Sequence, residues 1–201
     1  MQERMQYTSG IKDMAFMFLE MRKTALLLCE GKSADEIVRL SIEENIYQME
    51  KEKRRKEVAQ RMTKRLATIG QPLLEILANS YTEDAKLVAL LALAKADRLL
   101  FEYMIEVIAD RFETDCDTVG DRDFEEFIDR KAQNSDVVAK WSVSTLKSIR
   151  GAMKGILCEA GLAKRCKDGL KIQKPFASED LCKLIEDADK IYTKALLLTE
   201  V

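Results

Sequence analysis

Only two prolines, Pro72 and Pro175, and eight glycines interrupt this chain of 201 residues. Proline removes an amide donor and clashes with the preceding helical turn, and glycine weakens a helix through backbone entropy. Their scarcity, beside plentiful Leu, Ala, Glu, Lys and Met, leaves long stretches in which nothing stops a helix. The expected fold class is therefore mainly α. The length suits one large domain or two small ones, each with its own core. Hydrophobic residues make up 47%, so wholesale disorder is not expected.

Several function classes lack their chemistry. The longest apolar run, Leu87 to Ala94, is eight residues long between Lys86 and Lys95, whereas a membrane span needs roughly twenty. The apolar stretch from Met14 is broken by Glu20, Arg22 and Lys23, so no secretory segment is read there. A cytoplasmic protein with no membrane partner is expected. The five cysteines (Cys29, Cys116, Cys158, Cys166, Cys182) are odd in number and widely spaced, and there is no histidine. That argues against a disulfide framework, a zinc site or any other metal or cofactor site. It also removes the commonest general base. No glycine-rich phosphate cradle is present, and no carboxylate pair stands out from the many on helix faces. The expectation is a binding protein, not an enzyme, with no small-molecule substrate.

Punctuation along the chain sets the elements. Thr8 or Ser9 can cap a helix to Glu30, where Gly31 stops it. Ser33 with Glu36 forms a capping box for a helix to Asn45, and a highly charged helix follows over 48–69. Gly70 and Pro72 separate it from a short helix over 73–78. Thr82 opens a helix to Ala94 that is apolar nearly all round, hence central to a bundle. Asp97 caps 98–112. The polar stretch 113–122 is the expected boundary between an N-terminal bundle (1–113) and a second helical domain (120–201).

In that second domain a short helix over 123–131 is followed by one over 136–141 behind Asn134 or Ser135. A longer helix restarts at Ser142 or Ser144 and runs to Ala160. Two short runs, 162–167 and 170–174, flank Asp168-Gly169 and read as a β-hairpin with a type I′ turn. Ser178 then opens a final helical segment to Leu198. Helix, turn, long helix and tight hairpin is the order of a winged helix-turn-helix module. There the helix before the hairpin enters a major groove and the wing touches the backbone. The fold expected is thus two small helical subdomains, the second winged-helix-like with one short β-hairpin.

The net charge of −2 conceals segregation. Between Glu50 and Arg65, eight basic residues (Lys51, Lys53, Arg54, Arg55, Lys56, Arg61, Lys64, Arg65) face three acids. Between Lys140 and Lys174, nine face two, while Asp97 to Asp136 holds thirteen acids and five bases. On the first helix Val58, Met62, Leu66 and Ile69 form the apolar face, with Arg54, Arg61 and Arg65 in a row at its edge and Lys53, Lys56 and Lys64 opposite. On the later helix Lys147, Arg150 and Lys154 form a stripe beside Gly151 and Gly155. The hairpin then carries Lys164, Arg165, Lys167 and Lys171. A lone basic run is ordinarily a solvated helix face. Two such segments in an acidic chain point instead to a polyanion, whose phosphates reward clustered cations through counterion release.

Aromatic residues are only 6%, and Phe16, Phe18, Phe101, Tyr103, Phe124 and Phe127 sit at core spacing. Trp141 reads as a packing anchor. With few stacking platforms, double-stranded DNA is favoured over single strands. Two alternatives stand beside it: a scaffold whose basic segments meet acidic partner surfaces, and an RNA-binding antitermination-like factor.

The segments YTSGIKDMAFMFLEMRKTALLL (7–28), KEKRRKE (51–57), AKADRLLFEYM (94–104), VVAKWS (137–142) and CEAGLA (158–163) resemble the BrxA family in order, over almost the whole chain. The resemblance implies a cytoplasmic, non-enzymatic member of a bacteriophage-exclusion (BREX) defence system, which tells methylated host DNA from phage DNA, with other BREX proteins as partners. It also implies likeness to the helical antitermination factor NusB. It transfers no catalytic residue. An older description of the family as an inner-membrane protein conflicts with the hydropathy.

Overall fold

The structure, a computed structural model, describes residues 5–80, 82–114 and 116–199. Residues 1–4 of the expected first domain, Tyr81, Asp115 in the expected linker, and residues 200–201 lie outside the described residues. The fold is mainly helical with one small three-stranded antiparallel sheet. It divides into two compact units, one of residues 17–96 and one of residues 1–16 with 97–201. These divisions fall at Phe16/Met17 and Ala96/Asp97, not in the polar stretch 113–122 where the boundary was expected.

Residues 17–96 form a bundle of α1 (Phe18–Cys29), α2 (Ala34–Glu43), α3 (Glu52–Leu66), α4 (Gln71–Asn79) and α5 (Glu83–Ala96). Every residue from Leu87 to Ala94 is buried, as the all-round apolar pattern of α5 requires. Helix α1 packs on α3, α4 and α5, and α3 packs on α2 and α5. The capping box at α2 is complete: the Glu36 amide donates to Ser33 Oγ (3.3 Å) and the Ser33 amide to Glu36 Oε2 (2.8 Å).

The expected helix from Thr8 or Ser9 to Glu30 does not run through. Gly10–Lys12 is a single 3-10 turn, and α1 begins only after Met17, which takes a left-handed conformation (φ 51°, ψ 49°). Tertiary burial overrides local propensity here. Ile11, Met14 and Phe16 are buried, and the 3-10 turn packs against a helix of the same unit, Val143–Glu159. A continuous helix would have carried them elsewhere.

The second unit contains α6 (Arg98–Tyr103), a π-helical segment (Met104–Ala109), α7 (Asp110–Glu113), β1 (Thr118–Val119), α8 (Asp121–Gln133) and α9 (Asp136–Ala139). It continues with α10 (Val143–Glu159), β2 (Ala163–Cys166), β3 (Gly169–Ile172), α11 (Glu179–Asp189) and α12 (Ile191–Ala195). Asp97 caps α6, accepting from the Leu100 amide at 3.0 Å. The sheet order is β1-β3-β2, so the expected hairpin is joined by a strand from the stretch that read as linker. Two residues are too short for a periodic signal, and β1 is defined by its pairing with Leu170 and Lys171. The core joins Val119, Leu170 and Ile172 of the sheet to Ile149, Met153, Ile156 and Leu157 of α10. Tyr103 meets Phe124 and Phe127 edge-on, at 5.9 and 5.2 Å between ring centroids.

Candidate nucleic-acid interface

Strands β2 and β3 pair Ala163 with Ile172, Lys164 with Lys171, Arg165 with Leu170 and Cys166 with Gly169. Alternation buries Leu170 and Ile172 and turns Lys171 outward, directly opposite Lys164. Lys164, Arg165, Lys167 and Lys171 are all exposed. Like charges opposed across a ladder are unfavourable. Among the described residues the carboxylate paired with this face is Asp117, 3.1 Å from Lys171 Nζ, and that contact holds Asp117 below its ordinary value. Arg165 also reaches the Cys158 thiol, which burial pushes up and Arg165 pulls down. The turn is not type I′. That turn needs positive φ at both central residues, but the positive φ falls on Gly169 (137°), with Lys167 and Asp168 in ordinary backbone space.

Helix α10 begins at the Ser142 cap, whose Oγ accepts from the Thr145 amide at 3.2 Å. Its three expected basic residues divide. Lys147 is exposed and pairs with no carboxylate among the described residues. Arg150 lies 3.1 Å from both Asp121 and Glu125, and Lys154 also pairs with Asp121. Asp121 and Glu125 stand one turn apart on α8, Arg150 and Lys154 one turn apart on α10. The hydrogen bond from Lys154 holds Asp121 below the usual carboxylate range. Composition showed the acids of 97–136 only as a block; their match to these two cations depends on the helix crossing. Gly151 and Gly155 have nothing within 4 Å of where a Cβ would stand.

The α3 segment also divides. Arg65 is 2% exposed and belongs to the core, so the expected row Arg54–Arg61–Arg65 is not a surface row. Arg55 is held inside the α2–α3 connection, donating to the carbonyls of Met49 (2.8 Å), Ile42 (3.2 Å) and Glu50 (3.4 Å). Arg54 and Lys53 stand 3.9 and 3.8 Å from Glu57, and Arg61 is half-buried. Lys53, Lys56 and Lys64 remain outward, on the side away from buried Val58 and Met62.

A second polar cluster was invisible to spacing. Tyr7 donates to Glu102 (2.7 Å), which also accepts from Arg98 (2.7 Å) and Lys131 (2.7 Å), and Lys131 bonds Glu106 of the π-helical segment. Burial alone would raise the Glu102 carboxyl, but the bonds from Lys131, Arg98 and Tyr7 together hold it below its ordinary value. This cluster ties the N-terminal strap to α6 and α8. No group of His, Cys, Asp and Glu suited to a metal occurs among the described residues. No helix among them is long and apolar enough to cross a membrane.

Fold and site together define a mainly helical protein in which a capped helix leads into a basic β-hairpin of a small three-stranded antiparallel sheet. The chain belongs to the BrxA family, whose model matches residues 5–189. A BREX protein BrxA of Bacillus cereus (strain H3081.97) is 34% identical over 192 residues, covering 95% of this chain and 96% of that protein. Among solved structures, an uncharacterized protein from Magnetospirillum magneticum is similar with a TM-score of 0.80 and 21% identity. That match covers 96% of this chain and 98% of the other, and it is a likeness of fold.

Proposed function

We propose that this chain is a non-enzymatic, cytoplasmic component of a BREX phage-defence system that binds double-stranded DNA mainly through its phosphates. The observation that carries the reading is the hairpin, where Lys164 and Lys171 stand opposite one another beside exposed Arg165 and Lys167. Folding alone gives no reason to oppose two lysines, whereas a polyanion rewards the arrangement. The succession α6–β1–α8–α10–β2–β3 with sheet order β1-β3-β2 supports a winged-helix reading, with β2–β3 as the wing and Lys147 on the helix before it. Membership of the BrxA family and likeness to a BREX protein support the defence role.

The test is a fluorescence-anisotropy titration of a mixed-sequence duplex at several salt concentrations, with wild-type protein and K164E/K167E/K171E. The expected result is affinity that falls steeply with salt, and a variant whose log–log salt slope is shallower by about 2 to 3. Equal binding by wild type and variant would overturn the reading. A structured RNA of equal length as competitor separates duplex DNA from an RNA target.

A second reading concerns α3. Its outward lysines, Lys53, Lys56 and Lys64, suit docking onto an acidic surface of another BREX protein. Co-purification that survives nuclease but is lost in K53E/K56E/K64E supports it.

A further inference from the structure

We propose that Asp121 and Glu125 are affinity-setting residues: they act as built-in phosphate surrogates that occupy Arg150 and Lys154 and restrain the grip of this unit on DNA. The inference rests on the DNA-binding reading above and adds its regulation. Its ground is the layering of the cluster. The two cations are the inner members, with side chains 21% exposed, while Asp121 and Glu125 are the outer ones, at 54% and 65%. A phosphate approaching α10 from solvent therefore meets carboxylates before it meets Arg150 or Lys154. Their two negative charges cancel the two positive ones, leaving Lys147 as the outward charge of the stripe.

The geometry also shows that the restraint is reversible. Pairs with such exposed carboxylates gain little and are screened by salt. A duplex phosphate can accept a bidentate fork from Arg150, whose Nη1 meets both carboxylates here, and brings a higher charge density around it. Exchange of Asp121 or Glu125 for phosphate needs only a side-chain rotation, because both acids reach solvent already. The core beneath, through Ile149 and Met153 of α10, is untouched. A purely structural clamp would be expected to bury its acids as deeply as its bases.

The experiment compares wild type, E125Q, D121N/E125Q and D121N/E125Q/R150Q/K154Q in the same salt-titrated duplex binding assay, with thermal melts alongside. The double variant is expected to bind duplex at least about threefold tighter at low salt. Its salt slope should be steeper by 1 to 2, one for each cation released. The quadruple variant should lose that gain. E125Q, which leaves the α8 start intact, should show a smaller change in the same direction and keeps the test valid if the double variant melts early. Unchanged or weaker binding by folded E125Q and D121N/E125Q overturns the proposal. If K164E/K167E/K171E still weakens binding in that case, the DNA-binding reading stands without the surrogate; if that variant too is silent, the reading itself has failed.

Discussion

Gly169 lies against Val119: a Cβ built on Gly169 would overlap the Val119 carbonyl oxygen and stand 3.0 Å from Gly120 Cα. The glycine opens β3 at φ 137°, a conformation that side chains rarely adopt, where the end of β1 lies beside the turn end of the hairpin. Space and backbone conformation make the same demand there, and β1 and the hairpin meet only because no side chain intervenes.

Gly169→Ala is accordingly expected to cost at least about 2 kcal/mol, from strain at positive φ and displacement of β1. A urea titration followed by far-UV circular dichroism measures it. The neighbouring Asp168→Ala, in ordinary backbone space and exposed, should stay within about 0.5 kcal/mol of wild type. Equal midpoints for the two variants would contradict the close approach.

Arg55 supports a second prediction. Its guanidinium satisfies the Ile42 carbonyl in the last turn of α2 and the Met49 and Glu50 carbonyls of the α2–α3 connection. A lysine ammonium has one nitrogen and cannot reproduce the fork. Arg55→Lys should cost about 1–2 kcal/mol and Arg55→Ala about 2–3 kcal/mol. Neither should change the salt slope of duplex binding, since backbone carbonyls already hold the group. A change in slope without a change in stability would reverse that assignment.

Adjacent residues on α3 give a sharper contrast. Arg65 is buried and Lys64 exposed. Arg65→Glu puts an acid where a base is enclosed and is expected to destabilise by about 3–5 kcal/mol, enough to prevent folding of the bundle. Lys64→Glu should leave stability within about 0.5 kcal/mol. Soluble yield and thermal melting of the two variants decide the matter.

How much of this was legible in the sequence depends on range. The central burial of α5, the Ser33–Glu36 box, the Asp97, Ser142 and Ser178 caps and the hairpin are local patterns, and each is present. The break at Met17 was not legible, because the burial of Ile11, Met14 and Phe16 is set by residues far away in the chain. Strand β1 was missed for the same reason: its two residues are a strand only by virtue of Leu170 and Lys171. Within the site, side-chain type and helical phase placed Lys147 and the hairpin cations correctly on the surface. They failed for Arg65, whose position at the edge of an apolar face becomes core once α3 packs on both α2 and α5. Nor does a sequence show that Arg150 and Lys154 are matched by Asp121 and Glu125, since the pairing is 25 or more residues distant.

The Tyr7–Glu102 pair supports a prediction about pH. Burial, and then the hydrogen bond to Glu102, push the Tyr7 hydroxyl from its ordinary 10.0 up to about 12. Between those values the unfolded chain releases this proton while the folded chain keeps it. Its contribution to stability is therefore complete below pH 10 and is lost as pH rises toward 12. Glu102 has the opposite sign. Its folded value lies below the ordinary 4.5, so its contribution is present above that value and disappears as pH falls through the folded one. Burial also raises Tyr103 in the same unit and Tyr47 in the bundle, so Tyr7 is one of several sources of alkaline loss. Tyr7→Phe should make the alkaline limb of the urea midpoint shallower without abolishing it, and should weaken the acid limb by removing one donor from Glu102. Arg98, whose guanidinium carbon lies 4.3 Å from the Tyr7 ring centroid, keeps its aromatic contact in that variant, which confines the change to the hydroxyl. An unaltered alkaline limb in Tyr7→Phe would show that the strap is not held through this proton.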